Sequence, residues 1–130
     1  MATREKLQNA PGWTSERLEA LAQDIYKWLV EHEMWVDICI YYDGKRMATN
    51  DGNNFRYNGE PFIEEDVDPR DYFEYVGDPH ILSMSFEGPL YDLINYDGGH
   101  ELEEFHNIFT KHSKDLYFEQ GHAWNLSCYE

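Results

Sequence analysis

Apolar side chains near the start of the chain recur every three or four residues, which is the period of a helix with one buried face. Thr14 and Ser15 are suited to cap a helix, and Glu16 places a negative charge in its first turn. Residues 1–14 are predicted to form an arm before a single domain over 15–130. The pattern predicts a helix over 15–33 with a buried face made of Leu18, Leu21, Ala22, Ile25, Trp28, Leu29 and His32.

The next segment, 34–42, alternates and is rich in β-branched and aromatic residues, which predicts a strand. Asp43-Gly44 follows directly and is typical of a type I′ turn, so a hairpin with 45–49 is predicted. A second turn is predicted at 50–54 and a short third strand at 55–57. The two faces of the first strand would carry Val36, Ile38, Ile40 and Tyr42 on one side and Trp35, Asp37, Cys39 and Tyr41 on the other.

From residue 58 onward the composition of the sequence changes. Gly59, Pro61 and a dense run of acids predict a long surface loop, in which Asp68-Pro69 can open a short helix at 69–75. A strand is predicted at 80–86.

The last part of the chain predicts helices and a final hairpin. A short helix at 89–95 ends at Asp97-Gly98-Gly99, and a longer helix starts at Glu101 with Leu102, Phe105, Ile108 and Phe109 directed inward. The hairpin has strands at 115–119 and 122–129 around Gln120-Gly121. We therefore expect an α+β fold: an antiparallel sheet built from hairpins, with one long N-terminal helix and two or three shorter helices packed on it.

Composition adds a strong negative charge. Of 130 residues, 26 are Asp or Glu and 10 are Lys or Arg, which gives a net charge of -16. Because phosphate binding depends on Lys and Arg, nucleic acid and anionic membrane are not expected as direct partners. The aromatic content of 16% excludes a disordered acidic tail. The sequence has no signal-peptide core and no apolar run of membrane-spanning length, so a cytoplasmic protein is expected.

The negative charge is concentrated in residues 60–104, where fourteen acids face one base, Arg70, for a net charge of -13. Two interpretations stay open. One is a solvated acidic surface with buried aromatics; the other is a binding surface whose carboxylates and rings fit a basic groove on another protein. The candidate partner-binding residues are Glu60, Glu64, Glu65, Asp66, Asp68, Asp71, Tyr72 and Glu74.

The leading hypothesis for function is a small acidic inhibitor that binds a basic partner protein, such as a nuclease or another nucleic-acid-binding protein. In its most specific form it is a counter-defence protein of a phage or mobile element, of the anti-CRISPR or anti-restriction kind, whose carboxylates imitate nucleic-acid phosphates. An immunity protein that neutralises a basic nuclease toxin would carry the same charge pattern. A homodimer also stays open, because Trp13, Trp35 and the aromatic excess could cover an interface.

A further hypothesis belongs to another class and uses the scarce basic residues. The protein would sequester an anionic nucleotide signal, held by Lys45, Arg46 and Arg56. The alternative is that these side chains form cross-strand ion pairs with acids.

No catalytic motif is present, so neither enzyme activity nor a cofactor is expected. Glu103 and His106 form one Glu-x-x-His pair, whereas a di-iron site needs the pair twice, and we expect no metal site. Cys39 and Cys128 are interpreted as small buried hydrophobic residues.

Overall fold

A computed structural model describes residues 5–97 and 99–130. Met1 to Arg4, in the arm, and Gly98, in the predicted helix end, lie outside the described residues. The helices are α1 (Ser15–Glu31), a 3₁₀ turn (Pro69–Asp71), α2 (Pro89–Asp92) continued by a π-helical turn (Leu93–Asp97), and α3 (Gly99–His112). The strands are β1 (Ile38–Tyr42), β2 (Lys45–Ala48), β3 (Phe62–Glu64), β4 (Ser83–Phe86), β5 (Tyr117–His122) and β6 (Asn125–Tyr129).

The described strands form one six-stranded sheet in the order β3-β2-β1-β4-β6-β5, and every neighbouring pair is antiparallel. With the helices, this confirms the α+β prediction. One sheet face carries apolar residues such as Ile40, Met84 and Leu126, which pack into the core with α1 and α3. The other, which we call the polar face, carries Cys39, Tyr41, Arg46, Ser83, Ser85 and Ser127.

Helix α1 begins where the sequence predicts. The Thr14 hydroxyl accepts a hydrogen bond from the Arg17 amide at 3.2 Å and caps the helix. The helix stops two residues early, because Glu33 adopts a left-handed conformation with φ of 57° that a helix cannot continue through. Trp13 and Trp35 are 3% and 0% exposed, so the expectation that they could cover a dimer interface is wrong: both fill this chain's own core.

The first hairpin is confirmed, since Asp43 and Gly44 both have the positive φ of a type I′ turn, 49° and 74°. Strand β1, however, begins at Ile38 instead of residue 34. Asp37 has a φ of 55°, and this left-handed residue interrupts the extended chain.

Three further predictions are corrected. Residues 55–57 are not a strand and contribute only an isolated bridge between Asn50 and Phe55. The third strand is β3, inside the segment predicted as loop, where its backbone pairs with β2. The last hairpin turns at residues 123–124 instead of at Gln120-Gly121, where β5 instead has an irregular register, as in a β-bulge.

Two of the remaining elements are shorter than predicted, and two are longer. Helix α3 begins at Gly99, two residues before the predicted start at Glu101, and the helical segment from Pro89 continues to Asp97 instead of ending at residue 95. The predicted helix at 69–75 is a single 3₁₀ turn, and β4 starts at Ser83 instead of residue 80. In α3, Phe105 and Phe109 are buried as expected, whereas Leu102 and Ile108 are half-buried.

Among the described residues, no helix has the length and apolar character needed to cross a membrane.

Candidate functional site

Most of the acidic side chains in residues 60–104 lie at the surface. Of the thirteen whose side chains the structure describes, ten are exposed: Glu60, Glu65, Asp66, Asp71, Glu74, Asp78, Glu87, Asp92, Glu101 and Glu103. Exposure leaves these carboxylates hydrated and charged, so the excess negative charge of this segment is presented to solvent.

The structure brings three of the candidate acids together. Glu65, Asp66 and Asp68 line one wall of a groove with a volume of about 580 Å³. Asp43 and residues 6–9 line the groove as well. The Val67 amide donates to the Gly44 carbonyl at 2.9 Å, which holds this acidic wall against the β1–β2 turn.

Asp68 has a structural role within that wall. One of its carboxylate oxygens accepts the Arg70 backbone amide at 2.9 Å and caps the 3₁₀ turn. The other accepts from the Arg70 guanidinium at 2.7 Å. The charge of Asp68 is therefore balanced inside the chain, which leaves Glu65 and Asp66 as the exposed acids of the groove.

The other candidate residues lie elsewhere. Glu64 is on the polar face of the sheet edge, where it pairs with Arg46 at 2.9 Å. Glu74 contacts His122 at 3.3 Å, near the β5–β6 hairpin. Tyr72 packs on Tyr41, with their ring centroids 5.3 Å apart. Glu60 and Asp71 are exposed, so the eight candidates are spread over several surfaces.

The three basic candidates of the nucleotide hypothesis are not clustered. Lys45 and Arg46 are consecutive in β2 and therefore point to opposite faces. Lys45 lies 3.7 Å from Glu19, and Arg46 pairs with Glu64, as the ion-pair alternative expects. Arg56 is exposed after the 50–54 turn.

A second cavity, which sequence reasoning missed, lies on the polar face and has a volume of about 260 Å³. We call it the aromatic cavity. Its aromatic wall consists of Tyr41, Tyr72, Phe73 and Trp124, and two acidic residues, Asp37 and Glu87, also line it. Cys39, Asn50 and Ser85 complete the lining.

Long-range contacts assemble this cavity. The Glu87 amide donates to the Asp37 carbonyl at 3.2 Å, which joins the backbones of the two acidic residues. The Tyr57 hydroxyl donates to the Asp37 carboxylate at 2.7 Å and orients it. The only local signal was Asp37 itself, a charged residue inside an otherwise apolar run.

A buried polar chain crosses the polar face beside these cavities. His80 Nε2 lies 2.8 Å from the Ser83 hydroxyl, which lies 2.9 Å from the Ser127 hydroxyl. The Gly77 amide donates to Ser127 at 3.0 Å and completes the chain. Burial lowers the pKa of His80 to about 4, so the ring is neutral at pH 7.

The three histidines of α3, among them His106 of the Glu-x-x-His pair, contact other side chains. His112 lies 2.7 Å from an Asp24 oxygen, His100 lies 3.2 Å from Glu104, and His106 stacks on Phe118. Within residues 5–97 and 99–130, no three His, Cys, Asp or Glu side chains are grouped as metal ligands would be. Cys39 and Cys128 are both free, since β4 lies between their strands.

Comparison of this chain with models of protein families, with curated proteins and with solved structures gave no match. A function for this chain is therefore inferred from its own geometry and charge.

Proposed function

We propose that this protein is a small acidic inhibitor that binds a basic partner protein and covers its nucleic-acid-binding surface. In its most specific form it is a counter-defence protein of the anti-CRISPR or anti-restriction kind. The observation that carries the proposal is the exposure of ten carboxylates in residues 60–104, against a single basic residue in that segment.

The pairing of the basic side chains supports the same conclusion. Arg46 and Arg70 each pair with a neighbouring carboxylate, and Lys45 lies within reach of Glu19. Such pairs stabilise the chain little when exposed. Each pair uses one acid and one base, so the net charge of -16 is left without an internal counterpart. Like charges at this density repel one another, and a cationic partner relieves that repulsion.

The test compares two triple variants that remove the same number of charges. E60Q/E65Q/D66N neutralises exposed acids of residues 60–104, two of them in the groove, and Asn tolerates the left-handed φ of 55° at residue 66. E16Q/E31Q/E119Q neutralises exposed acids outside that segment. Each protein is immobilised, loaded with bacterial lysate and eluted with stepped NaCl, and the eluted proteins are identified by mass spectrometry.

We expect a basic nucleic-acid-binding protein to elute from the first variant at clearly lower salt than from the second. Identical elution from both would refute the role of this acidic segment. The recovered partner is then tested for DNA and RNA binding by gel shift with increasing amounts of the acidic protein. A partner that still binds nucleic acid when saturated would refute inhibition by mimicry.

A further inference from the structure

The aromatic cavity is negatively charged. Asp37 and Glu87 contribute two carboxylates, and no Lys, Arg or His is among the described residues that line it. The Arg46 guanidinium reaches Cys39 Sγ at 3.4 Å, but its charge is balanced by Glu64 at 2.9 Å. The electrostatics of this cavity therefore favour a cation and disfavour an anionic nucleotide.

The aromatic rings fit the same ligand class. Tyr41 packs against Tyr72 and Phe73 with centroids 5.3 and 5.0 Å apart, and Phe73 lies 5.8 Å from Trp124. Tyr72 is 52% exposed although it packs on the buried Tyr41, so part of its ring is open to a ligand. The negative face of an aromatic ring attracts ammonium and guanidinium groups, most strongly where water is partly excluded.

The volume limits the size of the ligand. About 260 Å³ is less than the roughly 300–1,000 Å³ of sites for drug-sized ligands, and it suits a single side chain. We propose that the aromatic cavity binds an ammonium or guanidinium group, supplied by a lysine or arginine side chain of the partner protein. The choice of a protein side chain as the source rests on the proposed function; the preference for a cation rests on the cavity alone.

The test is a titration of ¹⁵N-labelled protein followed by NMR. The reporter is the indole N–H of Trp124, assigned with a Trp124→Phe variant. The probes are Nα-acetyl-arginine amide and Nα-acetyl-lysine amide, with the uncharged Nα-acetyl-citrulline amide as the isosteric control. Spermidine represents a free polyamine as the other source of the same chemistry.

We expect at least one of the two amino-acid cations to shift the Trp124 signal saturably and the citrulline amide not to. D37N/E87Q should weaken that binding by about tenfold or more, because each lost carboxylate removes a charge-assisted contact. Asn tolerates the left-handed conformation at residue 37 and still accepts from Tyr57. D92N/E103Q removes two exposed charges away from the cavity and should bind as wild type.

Tyr72→Leu serves as a second variant, because an exposed ring can be removed without disturbing the core. This variant should weaken binding of the cation to a similar degree. Binding of the citrulline amide equal to that of arginine, or an equal loss in D92N/E103Q, would overturn cation recognition. Spermidine binding without either amino-acid cation would overturn the side-chain source. The two proposals can fail separately. If E60Q/E65Q/D66N leaves partner elution unchanged while the aromatic cavity still binds the cation, the acidic-segment proposal is refuted and cation recognition by the cavity stands.

Discussion

Mild acid should destabilise this protein through a single buried histidine. The His80 ring is only 3% exposed and lies against the Ser83 hydroxyl at 2.8 Å. Burial is the main cause of its low pKa; the charge of Asp68 opposes the shift and that of Arg70 reinforces it. Protonation would place an imidazolium in a site where, among the described residues, no carboxylate is hydrogen-bonded to the ring.

The sign and size of the effect follow from linkage. The unfolded chain takes up the proton near the ordinary pKa of 6.5, whereas the folded chain does so only near 4. Between these values the unfolded state binds more protons, so stability is full above pH 6.5 and is lost as the pH falls towards 4. The difference between pH 7 and pH 5 corresponds to about 2 kcal/mol, a large part of a typical folding free energy.

The assay is urea unfolding at pH 7, 6 and 5 for the wild type and for His80→Gln, whose amide replaces Nε2 towards Ser83. Carboxylates titrate in both proteins, so the difference between the two pH profiles isolates His80. Between pH 7 and pH 5, the free energy of unfolding of the wild type should fall by about 2 kcal/mol more than that of the variant. Parallel profiles, or an NMR titration of His80 near pH 6.5, would show that burial does not lower the pKa of His80.

Three other predictions concern packing. Gly88→Ala should cost about 1–3 kcal/mol in urea unfolding, because its new Cβ would lie 2.8 Å from the Val36 carbonyl oxygen. Gly59→Ala, whose nearest neighbours are 3.8 Å away, should change stability little. Phe105→Ala should cost about 3–5 kcal/mol, since the ring is fully buried between the helices and the sheet. The thiol of Cys128, buried and with a raised pKa, should react with a thiol reagent only in urea, and fast labelling of the native protein would contradict this.

Local sequence was sufficient for several elements. The three-to-four-residue spacing and the Thr14 cap predicted α1, and Asp43-Gly44 predicted the first hairpin, because both signals act within a few residues. The α+β class followed from the order of such elements. The charge of residues 60–104 was also readable, since it depends on composition alone.

Other features depended on partners far along the chain. Strand β3 is too short to show an alternation of apolar and polar residues. It is a strand because its backbone pairs with the edge of β2. Residues 55–57 have strand-forming side chains but no neighbour that pairs with them along their length. Strand formation is decided by pairing, so three-residue segments such as β3 carry little local evidence.

The arrangement of the site was decided by tertiary structure. The acids of residues 60–104 lie in one stretch of the sequence, yet folding places Glu65 and Asp66 in one groove, Glu64 on the polar face and Glu74 by the last hairpin. The aromatic cavity joins Asp37, Glu87 and Trp124, which no sequence spacing connects. Charge is a sum over residues and can be counted along the chain. A cavity depends on the distances between its lining residues, and those distances are set only when the sheet forms.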